Sequence, residues 1–295
     1  MSVVLGDALG PRGRRRAAVA SVAASAVLLA FVVFALQRLS AKGQLDAAKW
    51  STLAKPLVLR FLFGGLVNTL RAAAIALIPA VVVGTLLALG RISFNLLARL
   101  LAGAYVQFFR SVPLFVLIIF MFYGLPKLGV GLSPYWAVVA GLSIYNAAIF
   151  GEIFRAGILS LDRGQTEAAL SVGLPRWQAM RLVVLPQAYR RMIPTILSQS
   201  VTLLKDTSLG VAVTYEELLR RGQIAGEFGK NPLQAYVAVA LIYLVVNMGL
   251  SRVARRLEIR QRRRYQAGSI SVAGAEEIVA VAVGASIGGG GGGGA

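Results

Sequence analysis

Four charged residues interrupt long apolar stretches of the sequence: Arg110, Glu152, Lys205 and Asp206. A charge inside a membrane-spanning helix costs about 2.5–3.5 kcal/mol on insertion scales, so such residues mark functional positions by default. Thr207 adds a hydroxyl group directly after the Lys205-Asp206 pair. A path for a polar solute through a membrane needs polar groups of this kind at depth. We therefore treat these five residues as candidates for a solute path.

A structural role is the alternative for two of the candidates. Glu152 and Arg155 lie three residues apart, a spacing at which opposite charges on a helix can pair with each other. Arg110 could instead hold a kinked span against its neighbours. Adjacent residues on a helix point about 100° apart, so Lys205 and Asp206 do not neutralise each other face to face. Each of these two needs another partner or the solute.

Several kinds of chemistry are excluded by composition. The chain has no cysteine and no histidine, which excludes a disulfide, thiol catalysis, a Ser-His-Asp triad and a Cys/His metal site. The phosphate-binding pattern G-x-x-x-x-G-K-[ST] is absent, because the one Gly-Lys pair, Gly229-Lys230, is followed by Asn231. The sequence predicts no cofactor and no metal bound by this chain. Uphill transport would therefore draw its energy from a partner protein or from an ion gradient.

The overall composition is that of a membrane protein. Hydrophobic residues make up 57% of the 295 positions, and the mean hydropathy is +0.71. This predicts an all-α, polytopic fold with a single membrane domain. The net charge of +19 could indicate nucleic acid as a partner. In a membrane protein, the better interpretation is that basic loops meet the anionic headgroups of a lipid bilayer, so we expect no nucleic acid.

Apolar runs predict about six transmembrane helices. A basic leader, 1–16, precedes a first span at 17–36, for which a cleaved signal peptide is the alternative. The remaining predicted spans are 66–89, 102–125, 135–154, 193–213 and 233–250. Residues 253–295 are predicted to be a basic and then disordered tail that ends in glycines.

The distribution of basic residues predicts the orientation. If the N-terminus is cytoplasmic, the segments on that side hold 19 lysines and arginines, against 9 in the outer loops. This excess agrees with the positive-inside rule. It places both termini and the long loop between the fourth and fifth spans in the cytoplasm.

That long loop holds the most ordered polar pattern in the chain, EAALSVGLPRWQAMRLVVLP, which begins at Glu167 and ends at Pro186. Residues 166–172 favour a helix, with Glu167 expected in its first turn, where a carboxylate suits the helix dipole. Gly173 can adopt the left-handed conformation that ends a helix, and Pro175 prevents continuation. A second helix is predicted at 176–185. The alternative is a solvated helical loop without a partner.

The same residues carry a family resemblance. Glu167-Ala168-Ala169, then Gly173, then Val183, Leu185 and Pro186 reproduce the spacing of the EAA motif, with Val183 where isoleucine is usual. The chain therefore resembles the permease subunits of ABC importers. With its flanks, Arg163-Gly164-Gln165 and 204–209, it resembles the polar amino-acid permeases over residues 60–252. The leader and extra first helix resemble actinobacterial glutamate permeases.

The resemblance implies a type I-like transmembrane domain in a bacterial plasma membrane, with the loop 160–190 seated on a separate ATPase. Its implied partners are two ATPase subunits that use ATP-Mg, a second permease subunit (a sister chain or a copy) and an extracytoplasmic solute-binding protein. The implied coupling residues are Glu167, Ala168, Ala169, Gly173, Leu185 and Pro186. The implied solute is a polar amino acid, with glutamate or another acidic one expected. The chain itself is then a transport subunit rather than an enzyme.

Two other functions stay open on the sequence. One is a stand-alone secondary transporter that uses Glu152 and Asp206 for ion coupling. The other is a scaffold or membrane enzyme, for which the sequence offers no catalytic constellation. Co-purification of an ATPase subunit would separate the importer from both.

Overall fold

The computed structural model describes residues 10–256 and Ile259, and every regular element in this part of the chain is helical. The predicted all-α fold is confirmed. The basic residues of the tail beyond Arg256 and the final glycine run lie outside the described residues. The helices are α1 Pro11–Ala41, α2 Ala47–Ser51, α3 Pro56–Ile92, α4 Leu96–Ser111, α5 Leu114–Ile119, α6 Pro134–Leu159, α7 Arg163–Ser171, α8 Arg176–Gln178, α9 Leu185–Asp206, α10 Leu218–Phe228 and α11 Pro232–Arg256.

Four helices in the described part are long and apolar enough to cross a membrane: α1, α3, α6 and α11. Two shorter helical segments, Leu96–Ser111 and Leu114–Leu128, pass the same test as a pair and raise the number to five. The fifth predicted span, 193–213, corresponds to the end of α9 and a 3₁₀ segment, Thr207–Val213. Lys205 and Asp206 make α9 more polar than the other long helices.

The predicted third span, 102–125, is sharply bent, which agrees with the kink expected in it. Its two halves meet at an angle of 98°. Val112 caps α4 in an extended conformation, with φ −80 and ψ 127, and Pro113 follows. A proline disfavours the helical conformation of the residue before it and supplies no backbone N–H, so the helix ends there and a new one starts in another direction.

The chain divides into two compact units. Among the described residues, the first comprises 10–60 and 222–238, and the second comprises 61–221, 239–256 and Ile259. Within the first unit, side-chain amides bond to the backbone of α2 and of the segment between α1 and α2. Asn231 donates to the Lys49 carbonyl over 2.7 Å, and Gln234 donates to the Gln44 carbonyl over 2.5 Å.

The core of the second unit centres on α6. This helix packs against α4, α5 and α9. Its buried face combines small residues with large aromatic ones, among them the stacked pair Phe150 and Phe154. An added Cβ on Gly84 of α3 would lie 2.6 Å from the Cβ of Phe150. Glycine is therefore required where α3 approaches α6, since a larger residue would push the helices apart.

Candidate functional site

The predicted helix–turn–helix in the loop 160–190 is present. Asp162 caps α7 by accepting a hydrogen bond from the Gly164 N–H over 2.9 Å. The helix ends at Ser171, and α8 begins at Arg176, directly after Pro175. A carboxylate at the N-cap satisfies backbone N–H groups that have no partner within the helix. The sequence thus encodes both the start and the stop of α7.

Gly173 forms the turn in the left-handed conformation, as predicted, with φ 84. Its N–H donates to the Leu170 carbonyl over 3.0 Å, and the Leu174 N–H donates to the Ala169 carbonyl over 3.2 Å. These two bonds define a Schellman motif, which supplies hydrogen-bond donors to the last carbonyl groups of a helix. An added Cβ at Gly173 would meet no atom within 4 Å, so backbone conformation alone selects glycine there.

The expectation that Glu167 lies in the first helical turn is wrong. α7 begins at Arg163, which makes Glu167 its fifth residue, and the first turn holds no acidic residue. The prediction failed because Asp162, a stronger capping signal, lies further upstream. The Glu167 side chain is exposed, so it is free to meet a cation on a partner.

The outer surface of the turn is apolar. Val172 is 77% exposed, Trp177 is 61% exposed, and Leu182 is also 61% exposed. Of the six predicted coupling residues, Glu167, Ala168, Gly173 and Pro186 are exposed, Leu185 is partly buried, and Ala169 is buried. Exposed aromatic and aliphatic side chains grouped at one protrusion are typical of a protein contact.

The sequence predicted that the second helix of the loop ends near 185, but it does not end there. It continues through a π-helical stretch, Ala179–Val184, directly into α9. Pro186 is the second residue of α9 and supplies no N–H to the continuous helix. The change from π-helical to α-helical hydrogen bonding falls directly before it. The turn is therefore joined to α9 by continuous helix, so a displacement of one acts directly on the other.

Glu152 lies at the centre of a cluster of arginines. It pairs with Arg155 over 2.6 Å on the same helix, as the spacing predicted. It also pairs with Arg91 at the end of α3 and lies 3.7 Å from Arg110 near the end of α4. Arg91, Gln107, Arg110 and Glu152 line a cavity of about 310 Å³. Three cations around one carboxylate leave a positive excess at this junction of three helices.

Arg91 is the member of this cluster that the sequence did not reveal as a candidate. It lies in the last turn of α3, which looks like an ordinary membrane boundary. Its partner Glu152 is 61 positions away, and no local spacing signals such a pair. Arg110 and Glu152, by contrast, were both predicted from their charge alone, and the structure brings them together.

Lys205 and Asp206 face different grooves, as their angular separation predicted. Lys205 is exposed and lines a groove of about 570 Å³ together with α11. Asp206 lines another groove, of about 440 Å³, with Leu114 of α5 and Tyr145 of α6. The two charges therefore lie on different sides of α9.

Thr207 is fully buried, and its hydroxyl donates to the Leu204 carbonyl over 2.7 Å. A polar pair that sequence reasoning missed lies one to two turns away. Gln199 of α9 donates over 2.9 Å to the side-chain oxygen of the buried Asn146 on α6. Amide residues inside apolar helices give a weaker signal than charges, although both interrupt the apolar pattern.

These features define a helical membrane protein with charged groups between its helices and an exposed apolar turn. The chain belongs to the family of binding-protein-dependent transport system inner membrane components, whose family model matches residues 80–263. With several apolar helices, it is a multi-pass inner-membrane protein of that permease family.

Named relatives agree with this assignment. The chain is 38% identical to the glutamate transport system permease protein GluD of Corynebacterium glutamicum, over 81% of this chain and 89% of the relative. It is 39% identical to the probable glutamine ABC transporter permease protein GlnP of Bacillus subtilis, over 69% of this chain and 94% of the relative. A solved structure of an amino acid ABC transporter with histidines matches with a TM-score of 0.66 and 29% identity, over 72% of this chain and 97% of that one.

Proposed function

We propose that this chain is the permease subunit of an ATP-driven importer, and that its solute is glutamate or another acidic amino acid. The observation that carries the proposal is the exposed helix–turn–helix around Gly173, which is continuous with α9. Membership in the permease family supports the transport role, and a relative named for glutamate supports the solute.

Energy enters through the loop 160–190. Two separate ATPase subunits bind ATP-Mg, and each receives one such turn in a surface groove. The exposed Val172 and Trp177 supply the apolar contact, and Glu167 meets a cation of the ATPase. When the ATPases close on ATP, the turn moves, and the continuous helix carries that movement into α9.

A second permease subunit completes the path, because one chain of this size does not enclose and seal a route for a polar solute. The resemblance to glutamate-type members favours a sister chain over a copy. Both termini and the loop 160–190 lie in the cytoplasm. An extracytoplasmic solute-binding protein docks on the opposite side, at the segment 214–231.

The solute passes groups that match its charges. Its carboxylates meet the positive excess at Arg110 and the exposed Lys205, and its ammonium meets Asp206. Glu152 serves the path indirectly, by holding the arginines around it in place. Thr207 does not contact the solute; its hydroxyl stabilises the end of α9 through the hydrogen bond to the Leu204 carbonyl. The alternative of ion coupling through Glu152 is disfavoured, because that carboxylate is held by Arg91 and Arg155.

Reconstituted vesicles test this proposal. We expect the chain, its sister permease, the ATPase and the binding protein to import labelled glutamate only when ATP is inside. Lys205→Met and Asp206→Asn should slow uptake while the complex still assembles. Normal glutamate uptake by both assembled variants would remove these two residues from the path. Uptake driven by an ion gradient without the ATPase would replace the importer with a secondary transporter.

A further inference from the structure

The groove between α9 and the C-terminal part of α11 has an apolar stretch followed by a positively charged one. Its volume is about 570 Å³. Leu244 and Met248 line the part nearer the middle of α11, and Arg252, Arg255 and Arg256 follow toward its C-terminal end, with Ile259 beyond them. These residues recur three or four positions apart, so they share one side of the helix. From 244 to 255 the groove extends about 16 Å along the helix axis.

The three arginines are exposed and have no ion-pair partner in the described part of the chain. Ser251 adds a hydroxyl to the same wall. Arginine binds phosphate with several parallel N–H groups, and hydroxyls complement it. This end of the groove therefore suits a phosphate group.

The other end of the groove indicates what the phosphate is attached to. Leu244 is 51% exposed and Met248 is 37% exposed. Both precede the arginines in α11 and lie in its apolar part. A free amino acid or inorganic phosphate would leave this apolar surface uncovered. A phospholipid covers both ends at once, since its headgroup and acyl chain have the same order as the groove.

We propose that this groove binds an anionic phospholipid, with its phosphate on Arg252, Arg255 and Arg256 and an acyl chain along Leu244 and Met248. The site does not depend on the identity of the solute or of the partner subunits. Lys205 borders the groove on the α9 side but is left out of the test, which keeps this proposal separate from the solute path. The phosphate of the bound lipid would partly neutralise the positive charge of three arginines at the end of a membrane helix.

The absence of native cysteine makes a direct test practical. A fluorescent label on Leu244→Cys, in the full chain reconstituted into vesicles, should be quenched more strongly by brominated phosphatidylglycerol than by brominated phosphatidylcholine. The control label is on Ile78→Cys, which is 64% exposed on α3. At Ile78 we expect equal quenching by both lipids.

Charge variants complete the test. Replacing Arg252, Arg255 and Arg256 with Gln should remove the preference, with about a fivefold loss in relative lipid affinity for each arginine. The matched control replaces Arg14, Arg15 and Arg16 of α1 with Gln, which changes the net charge equally and should keep the preference.

Four results would overturn the proposal. They are equal quenching by both lipids at residue 244, a preference that survives the triple substitution, and competition by inorganic phosphate or glutamate beyond that of chloride at the same ionic strength. The fourth is a label at 244 that neither lipid quenches while Ile78 responds, which would mean that protein covers the groove.

Discussion

Gly173 offers the sharpest test of the coupling loop, because its Schellman motif can be perturbed without a steric clash. Its φ of 84 is unfavourable for any residue with a Cβ, at about 1–2 kcal/mol. An added Cβ meets no atom within 4 Å, so the Cβ of Gly173→Val introduces backbone strain without a steric clash. That strain lowers the population of the intact Schellman turn, relative to conformations in which its hydrogen bonds are broken, by about 5- to 30-fold. We expect the chain to insert normally but to lose both glutamate uptake and stable binding of the ATPase.

The chain contains its own control. Gly129 ends a 3₁₀ segment with the same two hydrogen bonds, from the Gly129 N–H to the Pro126 carbonyl and from the Val130 N–H to the Leu125 carbonyl. Its φ is 83, and an added Cβ there also meets nothing within 4 Å. Gly129→Val thus applies the same strain to a different loop, and we expect ATPase binding to persist.

Two measurements separate the outcomes: co-purification of the ATPase with the permease, and ATP-dependent uptake in vesicles. Gly173→Asn should retain more of both than Gly173→Val, since asparagine tolerates the left-handed region better than a β-branched residue. Normal uptake by Gly173→Val would refute the coupling role. So would an equal loss of ATPase binding in Gly129→Val, because the effect would then be general strain.

Three other predictions concern stability and topology. Thr214 is a β-branched residue with φ 57, so Thr214→Gly should stabilise the chain by about 1 kcal/mol and raise its thermal unfolding temperature in detergent. Glu152→Gln removes the carboxylate that holds Arg91 and should lower the free energy of unfolding by about 2 kcal/mol, whereas an unchanged value would mean that the ion pairs contribute nothing measurable. In intact cells, an impermeant thiol reagent should label Leu128→Cys but not Val172→Cys, and the reverse pattern would invert the proposed topology.

The sequence predicted those parts of the fold that depend on local chemistry. Gly173 and Pro175 together encode the end of one helix and the start of the next, and both signals act within a few residues. Asp162 shows the limit of that reasoning, since the stronger cap moved the helix start and displaced Glu167 from its first turn. A kink in the span that contains Pro113 was predicted, but its angle of 98° was not, because a proline marks a break without giving its angle.

The sequence could not predict contacts between distant helices. Arg91 pairs with Glu152, and Gln199 pairs with Asn146, across separations of 61 and 53 residues. Such pairs are set by how helices pack, and packing depends on the summed shape of many apolar side chains. Charge alone still placed Glu152 among the candidates, because a carboxylate inside an apolar helix is costly without a partner. This cost predicts that a partner exists, but it does not say which residue that partner is.

The character of α9 follows from the same reasoning. Val201 and Leu204 are buried against the core, whereas Ser198, Thr202 and Lys205 are exposed on another side of the helix. Hydroxyl and ammonium groups at that spacing form a polar stripe, which is why α9 is less apolar than the helices that meet the membrane test. A stripe of this kind is costly against lipid, so it requires a water-filled path or a second subunit beside it. Since the coupling turn continues directly into α9, the helix that would be moved by the ATPase is also the helix that carries this stripe. We therefore expect labels placed along 198–205 to change their water accessibility with the nucleotide state of the ATPase, and no change between ATP-bound and ATP-free complexes would disconnect the turn from the path.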